Sequence, residues 1–215
     1  MGIIRQGILG GFRNKTGSVV GAYWRDLNVI RALPRVSNKP ATQAQINQRF
    51  KFGLVTGFLS GLSDQIDAGF KKGAGSVSAM NAAVAYHLKT AITGVAPNFT
   101  LDYTKLKFST GKLSLPVSIG VDVTAPARLD FNWTLDGANA KYKDATDMVN
   151  VLVYNPAKNQ FVSLMNAAPR SALGFNLPVP PDFTGDTVHT YLSFTSTLKK
   201  DLSSNSIHIA AIPIA

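Results

Sequence analysis

The chain has 215 residues, no cysteine and a formal net charge of +10. That length allows a substantial buried core, and the lack of cysteine excludes disulfide frameworks, thiolate metal sites and thiol nucleophiles. No uninterrupted apolar run approaches the roughly 18 residues that a membrane-spanning helix needs, so the sequence predicts no such helix.

The positive charge is concentrated at the N-terminus. Residues 1–52 carry nine basic side chains against Asp26 alone, whereas the rest of the chain carries 13 basic and 11 acidic side chains. An excess of positive charge in one segment attracts a polyanion or an acidic protein surface, and it affects association rather than the fold. We therefore expect the first 52 residues to mediate contact with a partner.

Residues 1–17 are basic and rich in glycine. A backbone with this much freedom does not order itself without a partner, so the segment is predicted to be a basic arm. Arginines and glycines interrupt its apolar stretch, and no small-residue cleavage site follows, so it does not read as a signal peptide. This places the protein in the cytoplasm or in a virion or other particle assembled there.

A β-hairpin is predicted next. Runs of β-branched and aromatic residues at Val19–Arg25 and Val29–Leu33 flank a polar turn at 26–28, and Pro34 ends the second run because proline cannot donate to a strand ladder. An isolated hairpin is marginal in water, so this one must lie on another part of the chain or on a neighbouring subunit. Alternation gives the first strand one apolar face, which we expect to be buried, formed by Val20, Ala22 and Trp24.

A helical region is predicted over residues 42–98. Thr42 and Gln45 form a capping box at its head. Apolar residues then recur at a spacing of four, which is typical of one face of a helix. This apolar stripe consists of Ile46, Phe50, Leu54, Phe58, Leu62, Ile66 and Phe70.

The stripe is too long for one straight helix, because a strict spacing of four drifts around a helix of 3.6 residues per turn. Gly57, Gly61 and the Ser63-Asp64 pair are expected to divide it into two helices. A loop at residues 71–75 then leads to a third helix, predicted from Ser78 to about Ile92.

From residue 99 onward the pattern changes to period two. Apolar runs separated by turn residues such as Asp136-Gly137 and Asn155-Pro156 indicate seven or eight antiparallel strands in two packed sheets. The predicted strands include 113–123, 129–135, 149–153, 161–165, 173–179, 188–194 and 207–214. The chain is therefore predicted to be an α+β protein with three parts: a basic arm and hairpin over 1–41, a helical region over 42–98 and an Ig/fibronectin-like β-sandwich over 99–215.

Catalytic and metal-binding patterns are missing from the sequence. The three histidines have no second histidine or acidic ligand at metal spacing, and no serine lies in a GxSxG elbow. The nearest carboxylate pair, Asp144 and Asp147, stands where a role in a turn is expected. We therefore predict a non-enzymatic protein with no metal and no cofactor.

Cations and aromatic rings lie close together around the predicted hairpin. In single-stranded nucleic-acid sites arginines follow phosphates and aromatic rings stack on bases, but Trp, Tyr and Arg are also the residues that protein interfaces favour. Both uses stay open for this segment, with the interface favoured. The candidate residues are Arg5, Arg13, Lys15, Tyr23, Trp24, Arg25, Arg31, Arg35, Lys39 and Arg49.

Two N-terminal stretches, GSVVGAYWRDLNVIRALP and KPATQAQINQRFKF, carry a set of spaced residues: Gly17, Gly21, Arg31, Pro34, Thr42, Gln45 and Arg49. In these features the chain resembles a family of uncharacterised proteins from Bacteroidota and their phages, classed as a domain of unknown function. The resemblance covers residues 1–60 and, more loosely, 146–215, where DMVNVLVYNP is similar. It implies a helical N-terminal part joined to a β-sandwich, and it implies no activity.

These features together predict a structural or assembly protein, such as a virion component or a particle subunit, that forms homo-oligomers through its N-terminal region. The alternative is a nucleic-acid-binding protein that uses the basic segment, with an affinity that falls steeply in salt. A third hypothesis is an adhesion or carbohydrate-binding module with surface aromatics such as Tyr142, Tyr154 and Tyr191. It would require export, which the N-terminus does not indicate.

Overall fold

The computed structural model describes residues 2–4, 11–24, 27–36, 38–70, 77–134 and 142–215. The chain divides into two compact units, Met1–Gln43 and Ala44–Ala215. Arg5, Arg25 and the predicted loop at 71–75 lie outside the described residues. Of the helices in the described ranges, none is long and apolar enough to cross a membrane.

The N-terminal unit is a four-stranded antiparallel sheet. Its strands are β1 (Gly2–Ile4), β2 (Asn14–Thr16), β3 (Val19–Trp24) and β4 (Leu27–Ala32). Their spatial order is β1-β4-β3-β2, and β3 with β4 is the predicted hairpin. Trp24 pairs with Leu27, so β4 begins inside the predicted turn, and it ends before Pro34 as expected.

The prediction of a free basic arm is wrong for the described part of residues 1–17. Gly2–Ile4 pairs with β4, and Asn14–Thr16 pairs with β3. A two-stranded hairpin has two unpaired edges, and these short strands fill them, so these two stretches are ordered by their own chain. The turn into β3 uses Gly17 at a φ of +60°, a conformation that glycine adopts without strain.

Three helices come next along the chain: α1 (Gln43–Ser60), α2 (Ser63–Gly69) and α3 (Ala79–Thr90). The break between α1 and α2 falls at residues 61–62, as predicted. Ser78 caps α3, because its hydroxyl oxygen accepts a hydrogen bond from the Asn81 backbone N–H at 3.3 Å. After α3 the chain forms a hairpin that the sequence did not predict, made of β5 (Ile92–Val95) and β6 (Asn98–Leu101).

Seven further strands form the predicted Ig/fibronectin-like sandwich. They are β7 (Ile119–Ala125), β8 (Arg128–Trp133), β9 (Met148–Asn155), β10 (Gln160–Leu164), β11 (Gly174–Pro178), β12 (Thr187–Thr195) and β13 (Ile207–Pro213). One sheet has the order β10-β9-β12-β13 and the other β11-β8-β7. The predicted strand at 113–123 begins only at Ile119, and its earlier residues include Pro116, which cannot donate to a ladder.

The four-stranded sheet of the sandwich has a core on each side. Phe131 and Phe194 belong to the core between the two sheets. The outer face of the sheet is covered by the helices, which pack on Tyr154 and Tyr191. The helical region therefore shares a core with the sandwich, and of the three tyrosines considered for a carbohydrate surface only Tyr142 is exposed.

Candidate interaction surface

Strand pairing in the N-terminal sheet divides its side chains between two faces. Residues directly opposite each other in an antiparallel pair lie on the same face. Trp24 pairs with Leu27, Ala22 pairs with Val29, and Ile3 of β1 also pairs with Val29. These five apolar side chains therefore share one face of the sheet.

The same face has a basic end. Val20 pairs with Arg31 on one side and with Lys15 on the other, and both cationic side chains are exposed. The apolar end and the basic end together form the Trp24 face. It consists of Ile3, Lys15, Val20, Ala22, Trp24, Leu27, Val29 and Arg31.

Much of the apolar part of the Trp24 face is open to solvent. Ile3 is 51% exposed, Trp24 50% and Leu27 37%, whereas Val29 at the centre of the face is 3% exposed. The predicted apolar face of the first hairpin strand exists, and the described residues of this chain leave Trp24 on it half exposed. Contiguous apolar surface of this kind marks interaction sites more often than isolated exposed residues do.

The opposite face of the sheet is covered in part by the chain itself, and Tyr23 on this face is 50% exposed. A Cβ atom at Gly21 would collide with the backbone carbonyl oxygen of Phe12, so residues 11–13 lie directly against this face. The Arg13 guanidinium lies 5.3 Å from the centre of the Tyr23 ring, within cation–π range. Glycine at position 21 is therefore required for the close approach of this segment to β3.

The candidate residues from the sequence do not form one cluster. Three of them share the Trp24 face: Lys15, Trp24 and Arg31. Two meet on the opposite face: Arg13 and Tyr23. Three lie on other exposed parts of the chain: Arg35 and Lys39 after β4, and Arg49 on α1. The remaining two, Arg5 and Arg25, lie outside the described residues.

The N-terminal unit is strongly basic. Asp26 is the one acidic residue in the sequence of Met1–Gln43, and it is not among the described residues. No carboxylate side chain of the described part of this unit is therefore present to neutralise Lys15, Arg31 or Arg35. Such a surface favours a polyanion or an acidic protein as partner.

The second unit contains a histidine pair that the sequence does not predict. His189 Nδ1 lies 3.0 Å from His208 Nε2, beside a shift in register between β12 and β13. Burial lowers the pKa of both rings, and the neighbouring His208 lowers the pKa of His189 further. The lowered pKa values favour the uncharged form of both rings, in which a ring N–H can donate to the nitrogen of the other ring. The residues are on neighbouring strands, so no spacing within one strand could reveal the pair.

A buried ion pair lies at the edge of the sandwich core. Asp147 Oδ2 is 3.4 Å from Arg170 Nε, and both side chains are buried. Arg170 Nη2 also donates to the Ser114 carbonyl oxygen at 2.6 Å, and its guanidinium lies 4.4 Å from the centre of the Phe194 ring. Burial raises the pKa of Asp147. Because both charges are enclosed by protein, their arrangement fits a structural role.

The described ranges offer no metal-binding cluster. They contain no group of three or more histidine or acidic side chains that could hold a metal ion. His87 is a core residue: its Nδ1 is 2.7 Å from the Ala83 carbonyl oxygen, and its Nε2 accepts from the Lys107 backbone N–H at 3.1 Å.

Comparisons with known proteins address the family and the fold. The model of a family of unknown function, DUF6266, matches residues 10–210. No curated protein is significantly similar in sequence to the chain. Among solved structures, the fn3 domain of the human collagen alpha-1(XX) chain is similar, with a TM-score of 0.35 and 18% sequence identity over 50% of this chain and 89% of that one.

Proposed function

We propose that this chain, which belongs to the DUF6266 family of unknown function, is a non-enzymatic structural or assembly protein that self-associates through its Trp24 face. The half-exposed apolar end of that face is the observation that supports the proposal. Covering it with a second copy would remove Ile3, Trp24 and Leu27 from water, and burial of apolar surface contributes about 25 cal/mol per Å².

The residue types on the Trp24 face also favour a protein partner. Tryptophan and arginine are enriched among the residues that dominate interface energies. A two-fold axis that passes near Val29 and runs across the strands would set the basic end of each copy beside the apolar end of the other. Arg31 of one copy would then approach Trp24 of its neighbour, and the like charges of the two copies would lie apart.

The setting of this assembly follows from the family resemblance. The N-terminal part of the chain resembles a family of proteins from Bacteroidota and their phages, and we infer from this resemblance that the protein is a virion component or another particle subunit. We place the protein in that particle or in the cytoplasm where the particle is assembled. A basic surface on such a subunit would suit contact with enclosed nucleic acid.

The exposed cations favour a second candidate function, nucleic-acid binding by the N-terminal segment. Lys15, Arg31 and Arg35 are all exposed in a unit with no described carboxylate. In this case Arg31→Ala with Arg35→Ala should weaken retention on DNA and reduce its salt dependence, because each lost phosphate contact lowers the salt slope. Unchanged retention of the double variant would count against this candidate.

Light scattering of the purified chain tests self-association. The wild type should have the mass of an oligomer, and the double variant Trp24→Ala with Leu27→Ala should shift toward the monomer. Arg31→Ala should shift the mass less. Leu198→Ala is the matched control, since Leu198 is 70% exposed in the second unit, and it should keep the wild-type mass. A wild type that is monomeric, or a double variant of unchanged mass, would refute the proposal.

A further inference from the structure

Helix α1 is largely uncovered by its own unit. Val55 and Leu59 are the buried residues among its 18. Phe50 is 55% exposed and Phe52 is 51% exposed, although the apolar stripe predicts Phe50 to be in the core. The N-terminal half of the helix therefore presents large apolar side chains that the described residues of the second unit do not bury.

A groove runs beside this helix. A cavity of about 600 Å³ lies between Gly53 and Gly57 of α1 and the rings of Phe99, Tyr103 and Phe161. A Cβ atom placed on either glycine would meet no atom within 4 Å, so the helix backbone is exposed along this side of the groove. The groove is thus wide enough for a flat ring and is lined on one side by aromatic side chains.

The groove continues toward the exposed end of the helix. A second cavity of about 400 Å³ shares Gly53 and Phe99 with the first, and its lining includes Arg49 and Phe50. The Lys51 ammonium lies 4.7 Å from the centre of the Phe99 ring, within cation–π range. Neither cavity has an acidic side chain in its lining. Positive charge and aromatic rings are therefore presented together.

We propose that this groove binds single-stranded nucleic acid. Arg49 and Lys51 contact the phosphates, and bases stack on Phe50 and Phe99. Sites for single strands combine basic grooves that follow the backbone with aromatic rings that stack on bases. A duplex offers the same phosphates but keeps its bases stacked inside, and an acidic peptide offers charge without a series of flat rings. The site lies wholly in the second unit and does not depend on the Trp24 face.

Fluorescence anisotropy with a labelled deoxythymidine oligonucleotide, at low salt, tests the proposal. Phe50→Ala should weaken binding about tenfold, since a base–aromatic stack is worth roughly 1–3 kcal/mol. Phe52→Ala is the matched control: Phe52 is as exposed as Phe50 but lines neither cavity, so its affinity should equal that of the wild type.

Gly57→Leu gives a second variant that keeps every charge. Leucine is a better helix former than glycine, so the helix should persist while the side chain fills the groove. Binding should weaken at least as much as in Phe50→Ala. An unfolded protein is excluded by an unchanged circular dichroism spectrum.

The proposal would be overturned by no binding of the wild type, by wild-type affinity in both groove variants, by equal affinity for a duplex of the same length, or by equal affinity for an acidic peptide. Arg31→Ala with Arg35→Ala separates this site from the N-terminal candidate. If the Arg31→Ala with Arg35→Ala variant loses binding while both groove variants keep it, the N-terminal segment is the binding site and the groove is not.

Discussion

The N-terminal sheet and the sandwich are both antiparallel, yet they bury their apolar residues to very different extents. The sandwich has a core on both sides of its larger sheet, with Phe131, Phe194 and Tyr191 almost fully enclosed. Among the described residues of β2 to β4, only Gly21 and Val29 are buried. The sandwich thus buries its apolar residues within the chain, whereas the N-terminal sheet leaves much of one apolar face exposed.

The largest expected effect is in the sandwich core. Phe131→Ala should lower the free energy of unfolding by about 3–5 kcal/mol, because it removes a buried ring and leaves a cavity. Leu164→Ala, at an exposed position of β10, should change it by less than about 0.5 kcal/mol. Urea titration measures both. A small effect of Phe131→Ala would mean that this core is not the source of stability.

The buried ion pair should have the next largest effect. Asp147→Ala leaves the Arg170 charge enclosed without its partner and should lower the free energy of unfolding by about 3 kcal/mol. The double variant Asp147→Leu with Arg170→Met removes both charges and should recover much of that loss. Equal stability of the single variant and the wild type would show that the pair contributes nothing.

A substitution with a smaller expected effect on stability should act on the N-terminal sheet and leave the sandwich unchanged. Gly21→Ala places a methyl group against the Phe12 carbonyl oxygen and should destabilise the N-terminal sheet by about 1–3 kcal/mol, as overpacking does. Amide exchange should accelerate in β3 and β4, while exchange in β9 and β12 stays at the wild-type rate. Equal acceleration in both regions would show that the two units unfold together.

The smallest expected effect is the pH dependence of the second unit. The pKa of His189 and of His208 lies below the ordinary value of 6.5, mainly through burial. The neutral pair therefore contributes stability that is full above pH 6.5 and is lost as the pH falls through the lowered pKa values. The Asp102 carboxylate opposes this for His208, because it raises that pKa.

Urea titrations between pH 7.5 and 5 measure this loss. His189→Asn should reduce the pH dependence but not abolish it, because burial also lowers the pKa of His87. An identical pH dependence in His189→Asn and the wild type would contradict a role for the pair.

The sandwich and helices could be predicted because their patterns are long and periodic. β9 and β12 follow runs of alternating or continuous apolar residues, and the cap at Ser78 has a local signal. Strands β1 and β2 are only three residues long, so they show no period, and their glycine-rich, basic composition predicts a flexible arm instead. These two strands are ordered because they pair with the hairpin, and no local sequence pattern encodes that pairing.

The candidate surface was predictable only in part. Alternation gave the shared face of Val20, Ala22 and Trp24, since side chains alternate along any strand. The exposure of Trp24 depends on what covers the sheet, and the His189–His208 contact depends on the register of two strands. Both depend on tertiary structure, which a local sequence pattern does not determine. For the same reason the apolar stripe wrongly predicts that Phe50 is buried.

Amide hydrogen exchange of the wild-type chain as a function of protein concentration tests self-association most directly. Exchange in β1 to β4 should slow as the concentration rises, because a second copy covers the Trp24 face. Exchange in β9 and β12 should stay constant, since both sides of that sheet are already buried within the chain. Exchange in β1 to β4 that is independent of concentration, in a chain of monomeric mass, would contradict the account.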